Sequence, residues 1–109
     1  LSRKASAELD TITWPTIKFT TAPGLAFMKD LKLDDRDAEK GKEIRVAPGS
    51  HTMEVTVDVL FTRGEKSTQS MRVNMLRGRS YEVRLTTIKR VRGASGELRV
   101  YEDGKPVKY

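Results

Sequence analysis

A chain of 109 residues is one domain's worth, enough to enclose a single hydrophobic core and too short for a second. Charged residues make up 33% and hydrophobic ones only 37%, yet the apolar positions alternate cleanly over long runs, which excludes a disordered chain. With no cysteine there is no disulfide framework, no thiolate metal site and no thiol nucleophile, and no apolar run approaches the roughly 20 residues of a membrane-spanning helix.

The opening "LSRKASAELDT" is polar and without period; residues 1–11 read as a flexible tether, leaving 12–109 as one folded domain. The chain starts at Leu1 rather than Met, so an upstream segment is expected, either a signal or a lipid anchor. "ITWPTIKF" is strand-like, with Pro15 confined to a strand start or a sheet edge because it lacks an N–H. After the turn "TAPG", "LAFMKDLKL" presents Leu25, Phe27, Leu31 and Leu33 with a break of phase near Met28, which predicts a strand, with a short helix as the rival.

"DDRDAEKGKE" reads as a charged loop closed by Gly41, "EIRV" as an extended run, and "APGS" as a turn. "HTMEVTVDVLF" has the strongest alternation, with Met53, Val55, Val57, Val59 and Phe61 on one face. "TQSMRVNM" and "YEVRLTTI" alternate likewise, and short turns between these three runs predict an antiparallel meander. "KRVRGASG" reads as a basic loop, and Asp103-Gly104 supplies the positive φ angles of a type I′ hairpin turn, with Pro106 placing the last strand at an edge. No helix longer than two turns is expected. Seven or eight short strands predict an all-β fold of two antiparallel sheets packed face to face as a β-sandwich, or a flattened barrel.

The run "LKLDDRDAEKGKEIRVAPGSHTMEVTV", followed by "LRGRSYEVRL" and a terminal hairpin, resembles PEGA-type domains and related small lipoproteins of the bacterial envelope. The resemblance covers roughly residues 30–88 and rests on Pro48, Gly49, His51, Val55, Gly78 and Tyr81. Such domains carry an Asp-Gly turn in the first loop, where this chain has Asp34-Asp35 and a longer charged insertion. The resemblance implies a transthyretin-like or immunoglobulin-like sandwich exported to the periplasm or lipid-anchored at the outer membrane, without catalysis.

Three chemistries are weighed against the residues. His51 is the only histidine and there is no cysteine, so neither a catalytic triad nor a zinc site of three or four ligands can be assembled from the usual parts. His51 is expected instead to close the turn at Pro48 and Gly49, its ring over the core edge and a nitrogen on a nearby carbonyl. Asp34, Asp35, Asp37 and Glu39 suggest calcium, but in an EF-hand register from Asp35, Lys40 stands where glycine is needed and Val46 where glutamate is needed. "RGASG" and "LRGRS" lack the lysine and hydroxyl spacing of a phosphate loop and the helix that follows one. No cofactor, metal or enzymatic activity is expected.

The net charge of +6 is unevenly placed: residues 1–62 hold 9 basic and 10 acidic side chains, and residues 63–109 hold 12 and 5. If Met71, Val73, Tyr81, Val83, Leu98 and Val100 face the core, period two puts Arg72, Arg84 and Arg99 outside. Loop residues Arg77, Arg79, Lys89, Arg90 and Arg92 would add to a polyanion-binding face, partly used up by cross-strand ion pairs to Glu82 and Glu97. Exposed aromatics for nucleic-acid stacking are limited to Trp14, Tyr101 and Tyr109. The sequence therefore points to a non-enzymatic envelope domain that contacts a protein or an anionic surface polymer. The alternative is a cytoplasmic nucleic-acid-binding β-domain using the basic half.

Overall fold

The computed structural model describes residues 12–60, 66–90 and 93–107, with the side chains of 66, 90 and 93 outside the description. The expected tether at 1–11, together with Phe61, Arg92 and Tyr109, lies outside the described residues. The elements are all strands: β1 (Thr16–Thr21), β2 (Ala26–Leu33), β3 (Arg36–Asp37), β4 (Ile44–Arg45), β5 (Gly49–Val59), β6 (Lys66–Met75), β7 (Ser80–Arg90), β8 (Gly93–Glu102) and β9 (Lys105–Val107). They form two sheets, ordered β4-β1-β7-β8-β9 and β3-β2-β5-β6. Among the described residues there are nine strands rather than seven or eight, because the charged loop contributes a short one, β3.

The inward rows of both sheets form one core, with Ile17, Phe19, Val83, Leu85, Leu98 and Val100 from the first and Met28, Met53, Val55, Val57, Met71, Val73 and Met75 from the second. No polar or charged residue among those described is buried, so the core rests on apolar contact alone. The faces expected for β5, β6, β7 and β8 are the ones observed. In β2 Leu31 and Leu33 face inward as expected, but Phe27, and Leu25 just before the strand, do not. A bulge between Met28 and Asp30 shifts the phase, as the sequence break near Met28 predicts, but it turns Ala26 and Met28 inward. Leu25 is left 37% exposed and Phe27 half-buried on the outer side.

Two connections also depart from expectation. The runs β5 and β6 pair as an antiparallel hairpin, but β6 and β7 belong to different sheets, so there is no three-stranded meander. The short Leu76–Arg79 link is an arch across the edge of the core: Gly78 takes φ 74° and donates its N–H to the Thr13 carbonyl, and the Leu76 N–H reaches the Tyr81 hydroxyl. Alternation repeats on both sides of a hairpin and of an arch, so it does not tell them apart. As a result β1 lies parallel to β7, Thr16 beside Ser80 through Thr21 beside Leu85.

The described residues of the basic "KRVRGASG" segment, 89–90 and 93–96, are strand rather than loop, since β7 and β8 pair from Tyr81–Glu102 to Arg90–Gly93. Its glycine is a packing device: a Cβ on Gly96 would lie 2.6 Å from Val57 Cγ1 and 3.0 Å from Leu85 Cδ1. The type I′ turn expected at Asp103-Gly104 is present, with φ of 49° and 83°, and Pro106 sits in the edge strand β9.

Val57, 2% exposed and facing Gly96, is the most informative position to disturb. Val57→Asp should unfold the domain or cost more than about 3 kcal/mol, since an unpaired carboxylate would enter the core. Gly96→Val should cost about 1–3 kcal/mol by overpacking. Thermal melts followed by circular dichroism check both.

Candidate functional site

The segment 34–48, which reads from the sequence as a charged loop (34–43), an extended run and the start of a turn, is a strap along one side of the molecule. It begins with a two-residue turn in which Asp34 and Asp35 both have positive φ, 50° and 63°, so Asp34-Asp35 makes the turn that Asp-Gly makes elsewhere. The strap then supplies donors to the edges of both sheets. Ala38 N–H meets the Leu31 carbonyl, Gly41 N–H the Phe19 carbonyl, and Val46 N–H the Pro15 carbonyl, while Lys40 Nζ donates to the Met28 carbonyl at the bulge. Its short strands β3 and β4 extend β2 and β1 respectively.

His51 fastens the two ends of this strap. Nδ1 donates to Asp34 Oδ2 and Nε2 to the Ala47 carbonyl, each at 2.5 Å. The Asp34 carboxylate also accepts the Thr52 N–H at 2.9 Å, and the Asp34 N–H donates to the Thr52 carbonyl. Because both ring nitrogens face acceptors, the ring is held as an imidazolium. Burial pulls its pKa down, but the Ala47 carbonyl and the Asp34 carboxylate outweigh that and the net shift is upward from 6.5. Burial likewise opposes ionisation of Asp34, and the His51 and Thr52 hydrogen bonds overcome it, giving a value below 3.8. The ring is only 12% exposed and keeps no nitrogen for a substrate proton. An open groove of about 500 Å³ runs beside it, walled by Leu33, Ala38, Ile44 and Val46.

The same arrangement is built a second time at the β8–β9 turn. Asp103 N–H donates to the Ser80 carbonyl, its Oδ1 accepts the Ser80 N–H, and Oδ2 accepts Arg79 Nη1 at 2.9 Å. In each case an aspartate opening a tight turn is stapled to a residue of the next strand, and the residue just before that one supplies the cation. Sequence reasoning singled out neither aspartate as a staple. The available signal was the matched pairs His51-Thr52 with Asp34-Asp35, and Arg79-Ser80 with Asp103-Gly104. Nearby, the Tyr81 hydroxyl donates to Glu102 Oε2.

The basic residues do not converge. Arg72 is on β6 of the second sheet, whereas Arg84 and Arg99 face each other across β7 and β8 of the first. Arg84 pairs with Glu82 at 3.0 Å and lies over the Tyr101 ring at 4.7 Å; Arg99 pairs with Glu97 at 3.3 Å. These pairs run along one strand, two residues apart on a shared face, and not across strands as expected. Arg77 Nη1 donates to Thr13 Oγ1 at the arch, and Arg79 is held by Asp103 and Glu102. Lys89 is exposed near the end of β7 and not in a loop; Arg90 belongs to the same strand. Pro48 precedes β5, which Gly49 opens with φ 121°. Trp14 is partly buried, and its Nε1 has no hydrogen-bond partner among the described residues. Among the described residues no group of three or more His, Asp or Glu is placed to hold a metal.

The staple has a pH signature. The imidazole value is raised on folding, so its contribution is complete below pH 6.5 and is lost as pH rises through the folded value. The carboxylate value is lowered, so its contribution is present above pH 3.8 and is lost as pH falls through the folded value. Thermal stability from this pair should therefore peak between these two pH values and decline above pH 6.5. His51→Gln should cost about 1–2 kcal/mol near pH 6 and flatten the alkaline decline, as melts from pH 5 to 9 will report.

In comparison with known proteins, the chain matches no family model, and no curated protein or solved structure is similar to it.

Proposed function

We propose that this chain is a non-enzymatic domain of the bacterial cell envelope, a two-sheet sandwich of transthyretin-like or immunoglobulin-like type related to the PEGA-type domains, which works by contact with a partner protein. The observation that carries the reading is the employment of His51: the one side chain suited to acid-base work at neutral pH has both nitrogens committed to holding the strap. The "PGSH" turn that resembles the envelope domains is where that strap ends. A periplasmic or outer-membrane, lipid-anchored location follows from the resemblance. The nine-strand, two-sheet arrangement with one shared core suits a sandwich.

A protein partner is favoured over an anionic polymer by the arginines. Arg79, Arg84 and Arg99 are each engaged by a carboxylate of this chain, and Arg72 stands on the other sheet, so the described residues form no continuous row of uncommitted guanidinium groups. The alternative, nucleic-acid binding, has one observation behind it: Tyr101 and Arg84 form a half-buried stacked pair next to Arg99.

Two measurements separate these readings. Retention on heparin, duplex DNA or anionic vesicles should be weak and vanish by about 150 mM salt, where the Debye length falls to about 8 Å. Arg84→Glu with Arg99→Glu should alter it little. Tight binding at that salt, abolished by the double reversal, would favour the polyanion reading. Expressed from its native gene in its own cell, the protein should fractionate with the envelope; a cytosolic location would overturn the proposal.

A further inference from the structure

The second sheet ends at β6, whose far side meets no strand among the described residues. Three of the four sheet borders are short, with β3 and β4 two residues each and β9 three residues including Pro106. At β6 the border is ten residues long, without proline, and its pairing to β5 contains no bulge. It thus lacks the shortness, the proline and the bulge that blunt an edge, although its sequence carries the charges of Lys66 and Arg72.

Which peptide groups face outward follows from β5. Thr52 turns both its N–H and its carbonyl to Asp34, and Leu60 turns its N–H to the Leu25 carbonyl, so the even-numbered residues of β5 bond toward β2. Its odd-numbered residues therefore bond toward β6, to Val73, Met71, Gln69 and Ser67. This leaves the N–H and carbonyl of Thr68, Ser70, Arg72 and Asn74 pointing away from the sheet.

Charge selects a partner. Arg72 and Glu54 have no ion-pair partner among the described residues, unlike Arg79, Arg84 and Arg99. Glu54 stands directly beside Ser70 in the ladder. An antiparallel pairing of β6 with β6 of a second copy, about an axis at Met71, sets Arg72 opposite Ser70 of the other copy. Beyond that small side chain lies the other copy's Glu54, within a guanidinium's reach, and the two-fold repeats the contact. An axis at Ser70 would instead face Arg72 with Thr68 and Thr56, offering no acid, and an axis at Arg72 would oppose two like charges. Of these three, the axis at Met71 brings Arg72 to Glu54, which Lys32 flanks on the β2 side without a salt bridge, while overlapping 67–75 in full.

We propose that β6 is a self-association edge: two copies pair antiparallel about Met71, joining their four-stranded sheets into one of eight strands. Thr68 pairs with Asn74 and Ser70 with Arg72, giving about eight inter-strand hydrogen bonds. A seam of this kind is smaller than the usual 1,200–2,000 Å² interface, so association belongs to the upper micromolar range.

Sedimentation velocity from about 10 µM to 1 mM tests the proposal. The unaltered domain should move from monomer to dimer over this range. Ser70→Pro removes an outward donor without touching the β5 ladder and should leave only monomer. Arg72→Glu and Glu54→Arg should each weaken self-association at least about tenfold, equivalent to 1.4 kcal/mol. Mixed in equal amounts these two should associate again, because each supplies the charge the other lacks. Circular dichroism melts confirm folding, and should Ser70→Pro unfold, the two charge variants carry the test. A domain that stays monomeric up to 1 mM would overturn the proposal. A dimer indifferent to Arg72→Glu, or a mixture that stays monomeric, would do so too.

Discussion

A strand at the border of a sheet has half of its peptide groups facing no neighbour, and those groups must find water, a side chain or another strand. Much of this molecule is organised around that requirement. On one side the segment 34–48 lies along both sheets and gives backbone donors to Leu31, Phe19 and Pro15, so the borders of β2 and β1 are closed by the same piece of chain. At the end of the first sheet Pro106 shortens the demand, because a proline has no N–H to satisfy. The long border at β6 is where, among the described residues, the requirement is left open to solvent or to a partner. Strap, bulge, turns and the one histidine all serve the closed side.

The two aspartate staples make the logic of that closure plain. Each places a carboxylate where it satisfies a strand amide and a cation together, and each fixes a type I′ turn against the strand that follows in space. They differ in the cation: Arg79 keeps its charge at any physiological pH, whereas His51 does not. The strap is therefore fastened by the one of the two staples that can respond to acidity.

How far the sequence could be read depended on whether the governing contact was local. The alternation of Met53, Val55 and Val57 with Thr52, Glu54 and Thr56 fixes the inward face of β5, and Asp103-Gly104 names its own turn. The arch at Leu76–Arg79 was not legible, since Met75 and Tyr81 face the same core from opposite sheets and alternation is blind to that choice. The "KRVRGASG" part of the β7–β8 arm reads as loop because its inward positions are Ala94 and Gly96. These are small, and their fit becomes evident only beneath Val57. The His51–Asp34 contact joins residues 17 apart, which no local period announces. The excess of basic residues in 63–109 is visible, but the pairing of Arg84 and Arg99 with carboxylates two residues along the same strand is a matter of geometry.

The parallel placement of β1 beside β7 has a kinetic consequence. Thr16 and Ser80 are 64 residues apart, and every strand of the second sheet is made between them. When β1 leaves the ribosome its principal neighbour does not yet exist, and its peptide groups and the Phe19 ring must wait for most of the chain. Hairpins such as β5–β6 and β7–β8 can form early from near contacts, whereas closing the first sheet requires a long loop to be ordered before any compensating contact is made. High contact order of this kind places folding in the millisecond-to-second range. The interior position of β1 thus makes the first strand synthesised one of the last to be secured.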